Sequence, residues 1–330
     1  MPKISRFLLP LLAASAVAAC GSGSDGPSAN DGGGGTESTV NLAVTDAPVD
    51  SLAEVNIQFT GVVFNPAGNG EDEEGGFISY DFDEPRTFDV LALAGGDTEG
   101  LLIDEPIPAG DYEWIRLKVN AERGVMDSFV VEDDGGEESL FIPSGSQRGL
   151  QLNGPFSVNA NQGVFYVVDF DLRKSINNPQ GFPDYRMNPV LRIVEVEEAG
   201  SIGGSIDPAL LIGTDCDADP ATGEGAAVYV YEGNDATLGS LGSDSEPLTA
   251  ARVTLDIETG DFVYTAAFLN AGEYTAAFTC QAGRDDPATQ NDIRFDDQTN
   301  ATVEAGVVTT VDFEAELVEN EGDGSTPNAE

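Results

Sequence analysis

Histidine is absent from this 330-residue chain, and lysine nearly so, with only Lys3, Lys118 and Lys174. Without histidine, no Ser-His-Asp or Cys-His nucleophile system can be assembled, and no His-ligated zinc or iron site. Positive charge is scarce as well. Fourteen Lys and Arg stand against 59 Asp and Glu, a formal net charge of −45. Such a surface repels phosphate backbones and anionic head groups, which excludes nucleic acid as a partner. The acids are spread along the whole chain, which reads as a solvated surface suited to salty surroundings. A polyvalent cation site is the alternative reading of that charge. Also missing is any window with a capped, 3.6-residue apolar stripe, so helices should be short or absent. What is present is a hydrophobic share of 40%, enough for a real core, and a length that favours two domains.

The chain opens with Lys3 and Arg6, followed by "FLLPLLAASAVAA" (7–19). That run is too short to span a membrane and has the length of a signal-peptide core. It ends in Val17-Ala18-Ala19-Cys20, which resembles the lipobox of bacterial lipoproteins. The resemblance implies that residues 1–19 are removed and that Cys20 carries a diacylglycerol and an acylated amine, so that the lipid bilayer itself is a partner. Several acyl chains on one residue give a stable anchor. Residues 21–38, "GSGSDGPSANDGGGGTES", read as a tether with a reach of roughly 25 Å. Gly21 follows the cysteine where an Asp would signal inner-membrane retention, so the outer membrane is expected, with the leaflet open.

From Thr39 onward the pattern is strands: 39–45, 54–64, 86–93, 111–121, 163–172 and 188–197, separated by Gly, Pro and Asp. Val55, Ile57 and Phe59 alternate, as do Ile115, Leu117 and Val119. Tyr112 and Trp114 fall in the opposite phase, which calls for a bulge or for a strand covered on both faces. The acidic Gly-rich runs at 68–76 and 132–139 read as hairpin loops. The expected class is all-β, two β-sandwich domains in tandem behind the signal and tether.

"LAVTDAPVDSLAEVNIQFTGV", "IPAGDYEWIRLKV", "IPSGSQRGLQL", "VVDFDLRKSI" and "YRMNPVLRIVE" occur in that order between about Val40 and Val196. Together they resemble the bacterial and archaeal domain of unknown function catalogued as family 4382. The resemblance implies a secreted or lipoprotein chain and a β-rich domain, with no catalytic residues to carry over. A second unit, following "EEAGSIGGSIDP", resembles transthyretin-like or carboxypeptidase-regulatory-like modules through "AGEY" (271–274) and its neighbouring strands. The expected division is a family-4382-like sandwich at 39–198, a transthyretin-like sandwich at 199–318 and a disordered tail at 319–330.

Several residues invite chemistry. In "TDAPVD" (45–50) Asp46 suits an Asx-turn beside Pro48, and the functional alternative makes Asp46 and Asp50 calcium ligands. Asp215, Asp217 and Asp219 alternate as at the start of a calcium loop. Pro220 and Ala226 then depart from the EF-hand pattern. No metal or cofactor is assigned, and calcium stays open at those three aspartates. Ser175 beside Lys174, and Ser144, form nominal Ser-Lys pairs that more often lie at strand edges. Tyr112, Trp114, Phe165, Tyr166 and Tyr185 are candidates for a sugar platform or for core.

These features point to a membrane-anchored, non-catalytic envelope lipoprotein, a binding or structural module for a glycan or another envelope protein. The alternative is a carboxylate-based glycoside hydrolase acting on surface polysaccharide. With Cys20 lipidated, Cys216 and Cys280 remain as an even pair in an exported chain and are expected to form a disulfide closing about 65 residues.

Overall fold

The computed structural model describes residues 37–47, 52–69, 76–143, 145–178, 184–289 and 292–315. Residues 1–19, Cys20, the tether up to Thr36, Pro48 to Asp50, residues 70–75 of the first acidic run, Ser144 and the 319–330 tail lie outside the described residues. Glu37 and Ser38, expected in the tether, already belong to the first strand, with Ser38 buried.

Among the described residues, twenty strands follow one another. The first ten are β1 (Glu37–Ala47), β2 (Leu52–Pro66), β3 (Ile78–Asp89), β4 (Glu99–Pro108), β5 (Gly110–Asn120), β6 (Phe129–Glu132), β7 (Glu137–Phe141), β8 (Leu150–Val158), β9 (Gly163–Asp171) and β10 (Ile176–Asn177). The chain continues through β11 (Tyr185–Met187), β12 (Leu191–Glu195), β13 (Ala199–Ile206), β14 (Ala227–Glu232) and β15 (Thr249–Arg252). It ends with β16 (Thr254–Leu255), β17 (Phe262–Asn270), β18 (Gly272–Thr279), β19 (Asp297–Val303) and β20 (Val308–Thr310). Two one-turn helices, α1 (Gly145–Arg148) and α2 (Leu172–Ser175), are the α-helices among the described residues.

These strands make four sheets. A sheet ordered β12-β9-β1-β4 faces a larger one ordered β10-β11-β7-β6-β2-β5-β8, with β3 also on β2. Between them lies one core, where Phe59 of β2 meets Phe170 of β9 edge-on at 6.3 Å and Phe156 of β8 meets Tyr166 at 5.2 Å. A second pair of sheets, β16-β17-β13-β20 and β15-β14-β18-β19, encloses a separate core that includes Phe278 and Phe313. The expected tandem of sandwiches is what forms.

The phase change in β5 is a bulge. Register shifts between Tyr112 and Trp114 against β8, so Trp114 and Ile115 are both buried although adjacent. The run at 132–139 is a hairpin, with β6 antiparallel to β7. The Gly-rich "GSIGGSI", which reads as a boundary between units, is instead β13, paired with both β17 and β20. A Cβ on Gly200 would collide with the Glu304 carbonyl, and one on Gly204 with the Val311 carbonyl, so only glycine lets those backbones approach.

Both sandwiches share a corner device. In "PAGDY" the Tyr112 hydroxyl donates to the Pro108 carbonyl at 2.7 Å, and in "NAGEY" Tyr274 donates to Asn270 at 2.9 Å. In each case a hydroxyl four residues on fastens the turn feeding a strand.

Candidate functional site: the seam between the sandwiches

The ends of β1 and β9 run parallel, with Thr45 opposite Asp169 and Ala47 opposite Asp171. Against this end lie β15 and β17 of the second sandwich, packed on β1 and β12. Here β9 is buried on both faces from Tyr166 to Phe170, which is why its alternation fails. "VVDFD" therefore carries two carboxylates into a covered region, and both need partners.

They have them. Arg192 lies directly opposite Asp169 on β12, and its Nε and Nη2 each stand 2.7 Å from Asp169 Oδ2. The same guanidinium crosses the seam, donating from Nη1 to the Phe268 carbonyl at 2.8 Å and from Nη2 to Ala267 at 3.2 Å. Phe268 has φ +53°, a conformation a bulky side chain seldom adopts. Asp171 caps α2 by accepting from the Lys174 amide at 3.1 Å, and its other oxygen is 3.4 Å from Lys174 Nζ. Lys174 Nζ donates across to the Pro247 carbonyl at 2.7 Å. Arg173, 5% exposed, donates from Nη1 to Tyr229 Oη at 3.2 Å and to the Ala282 carbonyl at 3.4 Å. Tyr229 in turn donates to Asp285 Oδ2 at 2.8 Å. Three cations, Arg173, Lys174 and Arg192, thus cross from one sandwich to main-chain carbonyls of the other.

Asp46 is the exception. It lies within β1, not in an Asx-turn, because β9 and a bridge to Ala94 extend the strand through it. The side chain is 6% exposed and neither oxygen accepts a well-formed hydrogen bond. Burial pushes its carboxyl well above the usual range, and Asp169 and Asp171 push it further. The Leu172 amide and the Arg252 guanidinium, which favour the charged form, do not offset them. Burial also raises Asp169 and Asp171, against the pull of Arg192 and Lys174 respectively. Asp46 and Arg252, whose Nε is likewise buried without a partner, line a cavity of about 300 Å³ with Thr45, Thr249 and Thr265. A neighbouring cavity of about 590 Å³ is lined by Asp171, Lys174, Arg192, Tyr231 and Glu246.

The other candidates fall elsewhere. Ser175 donates to the Asp171 carbonyl at 2.6 Å and accepts from the Val190 amide at 2.9 Å, a structural post. Tyr112, Trp114 and Tyr166 are core, Phe165 is exposed, and Tyr185 donates to Glu132 at 2.7 Å, so no aromatic platform assembles from them. Asp215 pairs with Arg294 at 3.4 Å and Asp217 with Arg284, while Asp219 accepts from the Ala221 amide at 2.8 Å. Among the described residues no group of three or more Cys, Asp or Glu stands together to hold a metal ion. Cys216 and Cys280 are both thiols here and lie side by side, with Cys216 Sγ donating to the Cys280 carbonyl at 3.7 Å.

Residues 37–189 match the family DUF4382, a domain of unknown function. The DUF4382 region contributes Asp46, Asp169, Asp171, Arg173 and Lys174 to the seam, while Arg192 lies just past its end. No curated protein matches the chain. Among solved structures, the chain is similar to the Bacillus anthracis TIE protein, at 12% identity over 84% of this chain and 34% of that one, TM-score 0.19. It is also similar to GBS52, a minor pilin of Streptococcus agalactiae, at 12% identity over 83% and 94%, TM-score 0.19. A fimbrial protein from Bacteroides ovatus gives 10% identity over 84% and 49%, TM-score 0.21. The chain therefore spans about a third of the length of the TIE protein. TM-scores at this level transfer no function.

Proposed function

We propose that this chain is an envelope-anchored, non-catalytic binding or structural module, tethered to the outer membrane through lipidated Cys20 and presenting two sandwiches fastened as one body. The observation that supports this reading is how the seam uses its charges. Asp169 and Asp171 are each tied to a cation that also holds a carbonyl of the other sandwich. Groups spent on fastening are not free to move protons through a reaction cycle. The module's partner is a glycan or another envelope protein.

Asp46 favours one rival, the carboxylate hydrolase, since a neutral carboxyl lining a cavity is the form a general acid takes. Both readings meet in one experiment. Purified protein and its Asp46→Asn variant are incubated with envelope polysaccharides, and reducing ends are counted. The expected result is no release above the variant's background. Release by the wild type that vanishes in a folded Asp46→Asn variant overturns the module reading and establishes the hydrolase.

A further inference from the structure

Two thiols lie outside the seam, Cys216 and Cys280. We propose that Cys216 and Cys280 are oxidised to a structural disulfide that fastens the 213–225 loop to the end of β18, and that this bond is a permanent staple and not a redox switch. The loop already sits in place without it. The Asp217 and Ala218 amides both donate to the Cys280 carbonyl at 3.1 Å, Gln281 Nε2 donates to the Asp215 carbonyl at 2.5 Å, and the Gly283 amide donates to Gly225 at 3.1 Å. Two ion pairs, Asp217 with Arg284 and Asp215 with Arg294, hold the same loop from its outer side. With both flanks pinned, Cys216 Sγ stands 3.7 Å from the Cys280 carbonyl, so the two cysteines are neighbours before any bond forms.

The two sulfurs differ in access. Cys216 is half-buried and Cys280 is 1% exposed. An external disulfide oxidant is therefore engaged at Cys216. Its thiolate attacks one sulfur of the oxidant, forming a mixed disulfide and releasing one thiol. Cys280 then gives up its proton and attacks Sγ of Cys216, expelling the second thiol. Two protein thiols are oxidised and one oxidant disulfide becomes two thiols, so electrons and protons balance. Reversal begins at the same exposed sulfur and must expel Cys280 as a thiolate. Burial, contact with Cys216 and the nearby Asp296 all disfavour that thiolate, which makes it a poor leaving group. Burial of Cys280 thus slows exchange in both directions while the domain stays folded, so a bond once formed persists until the domain unfolds.

The test needs no assumption about export. The reduced full chain is incubated with glutathione disulfide, alkylated and digested for mass spectrometry. The expected result is one cross-linked peptide pair holding Cys216 and Cys280. Its reduction should be slow in native buffer and fast in urea. The oxidised protein should melt about 5–15 °C above the reduced one, and Cys216→Ala should melt with the reduced form and ignore reductant. Both thiols alkylating after oxidation, or a glutathione adduct persisting on Cys216, overturns the bond. Rapid reduction of the folded protein, or equal melting of the two forms, overturns its role as a staple.

Discussion

Replacing Asp46 with Asn should make the protein more stable, and increasingly so as the pH rises. A carboxyl whose folded-state pKa lies above its unfolded value keeps its proton in the fold after the unfolded chain has lost it. From just above the ordinary value of 3.8 up to the raised folded value, the unfolded state binds fewer protons, so stability falls with rising pH. The slope for one such group reaches about 1.4 kcal/mol per pH unit. Across two units inside that window, wild type and Asp46→Asn should therefore diverge by up to about 2.7 kcal/mol. The groups facing Asp46 are Asp169 and Asp171 on β9, the Leu172 amide of α2 and Arg252 on β15. The charged neighbours remain in both proteins, so their own titration largely cancels in the difference. Asn preserves shape and supplies no charge. Urea unfolding from pH 4 to pH 8 is the assay, followed through Trp114, the single tryptophan, which is buried in the first sandwich. Parallel stability curves, or an Asn variant that loses ground as pH rises, would show that Asp46 is ionised in the fold and would refute the reasoning.

Arg192→Met should cost about 3–5 kcal/mol, because Asp169 is left buried without its cation, and adding Asp169→Asn should return part of that loss in a double-mutant cycle. Additive effects would separate the two residues. Melting midpoints should rise between low and molar sodium chloride as screening relieves repulsion among 59 acids, and an unchanged midpoint would mean the charges are too dispersed to matter. Calcium at matched ionic strength should add nothing, since Asp215 and Asp217 already hold arginines; a further rise confined to calcium would expose a site. Cys20→Ser should leave the chain without lipid and off membranes, and wild type recovered soluble and unlipidated would remove the anchor.

Strands with one or two well-marked faces were legible in the sequence: β2, β5, β9 and β12 fall where period-2 alternation or an apolar run places them. Those that escaped share a physical cause. β4, "EGLLIDEPIP", carries Pro106 and Pro108, and β8, "LQLNGPFSV", carries Gly154-Pro155. Neither stands out as a strand in the sequence, yet both are edge strands of their sheets, where a missing N–H faces no partner. Only the end of β3 is marked, at 86–89 within the expected 86–93 strand. Pro85 and the acids before it mask the rest of a strand that pairs with β2 alone, and 90–93 turn as a 3-10 helix instead of continuing it. The bulge at Trp114 was foreshadowed by the phase conflict in β5. Asp46 was misread because "TDAPVD" offers every local turn signal, whereas the strand through it is imposed by β9, more than a hundred residues away.

The seam itself was visible only as composition. In a chain with 14 cations against 59 acids, "DLRK" places two cations in succession directly after the apolar run of β9. What no local pattern reveals is their destination. Arg173, Lys174 and Arg192 end on carbonyls of residues 282, 247 and 267–268, positions that belong to turns and strand ends of the other sandwich. A main-chain carbonyl has no residue-type signature, so recognition of this kind leaves no trace in the receiving sequence. It does leave one in the donor. The planar guanidinium of Arg192 spans a carboxylate and two carbonyls at once, which the single ammonium of a lysine does not. The fork that neutralises Asp169 also reaches the second sandwich, while both Asp46 oxygens stay buried without a hydrogen-bond partner, and burial holds that carboxyl well above its usual range.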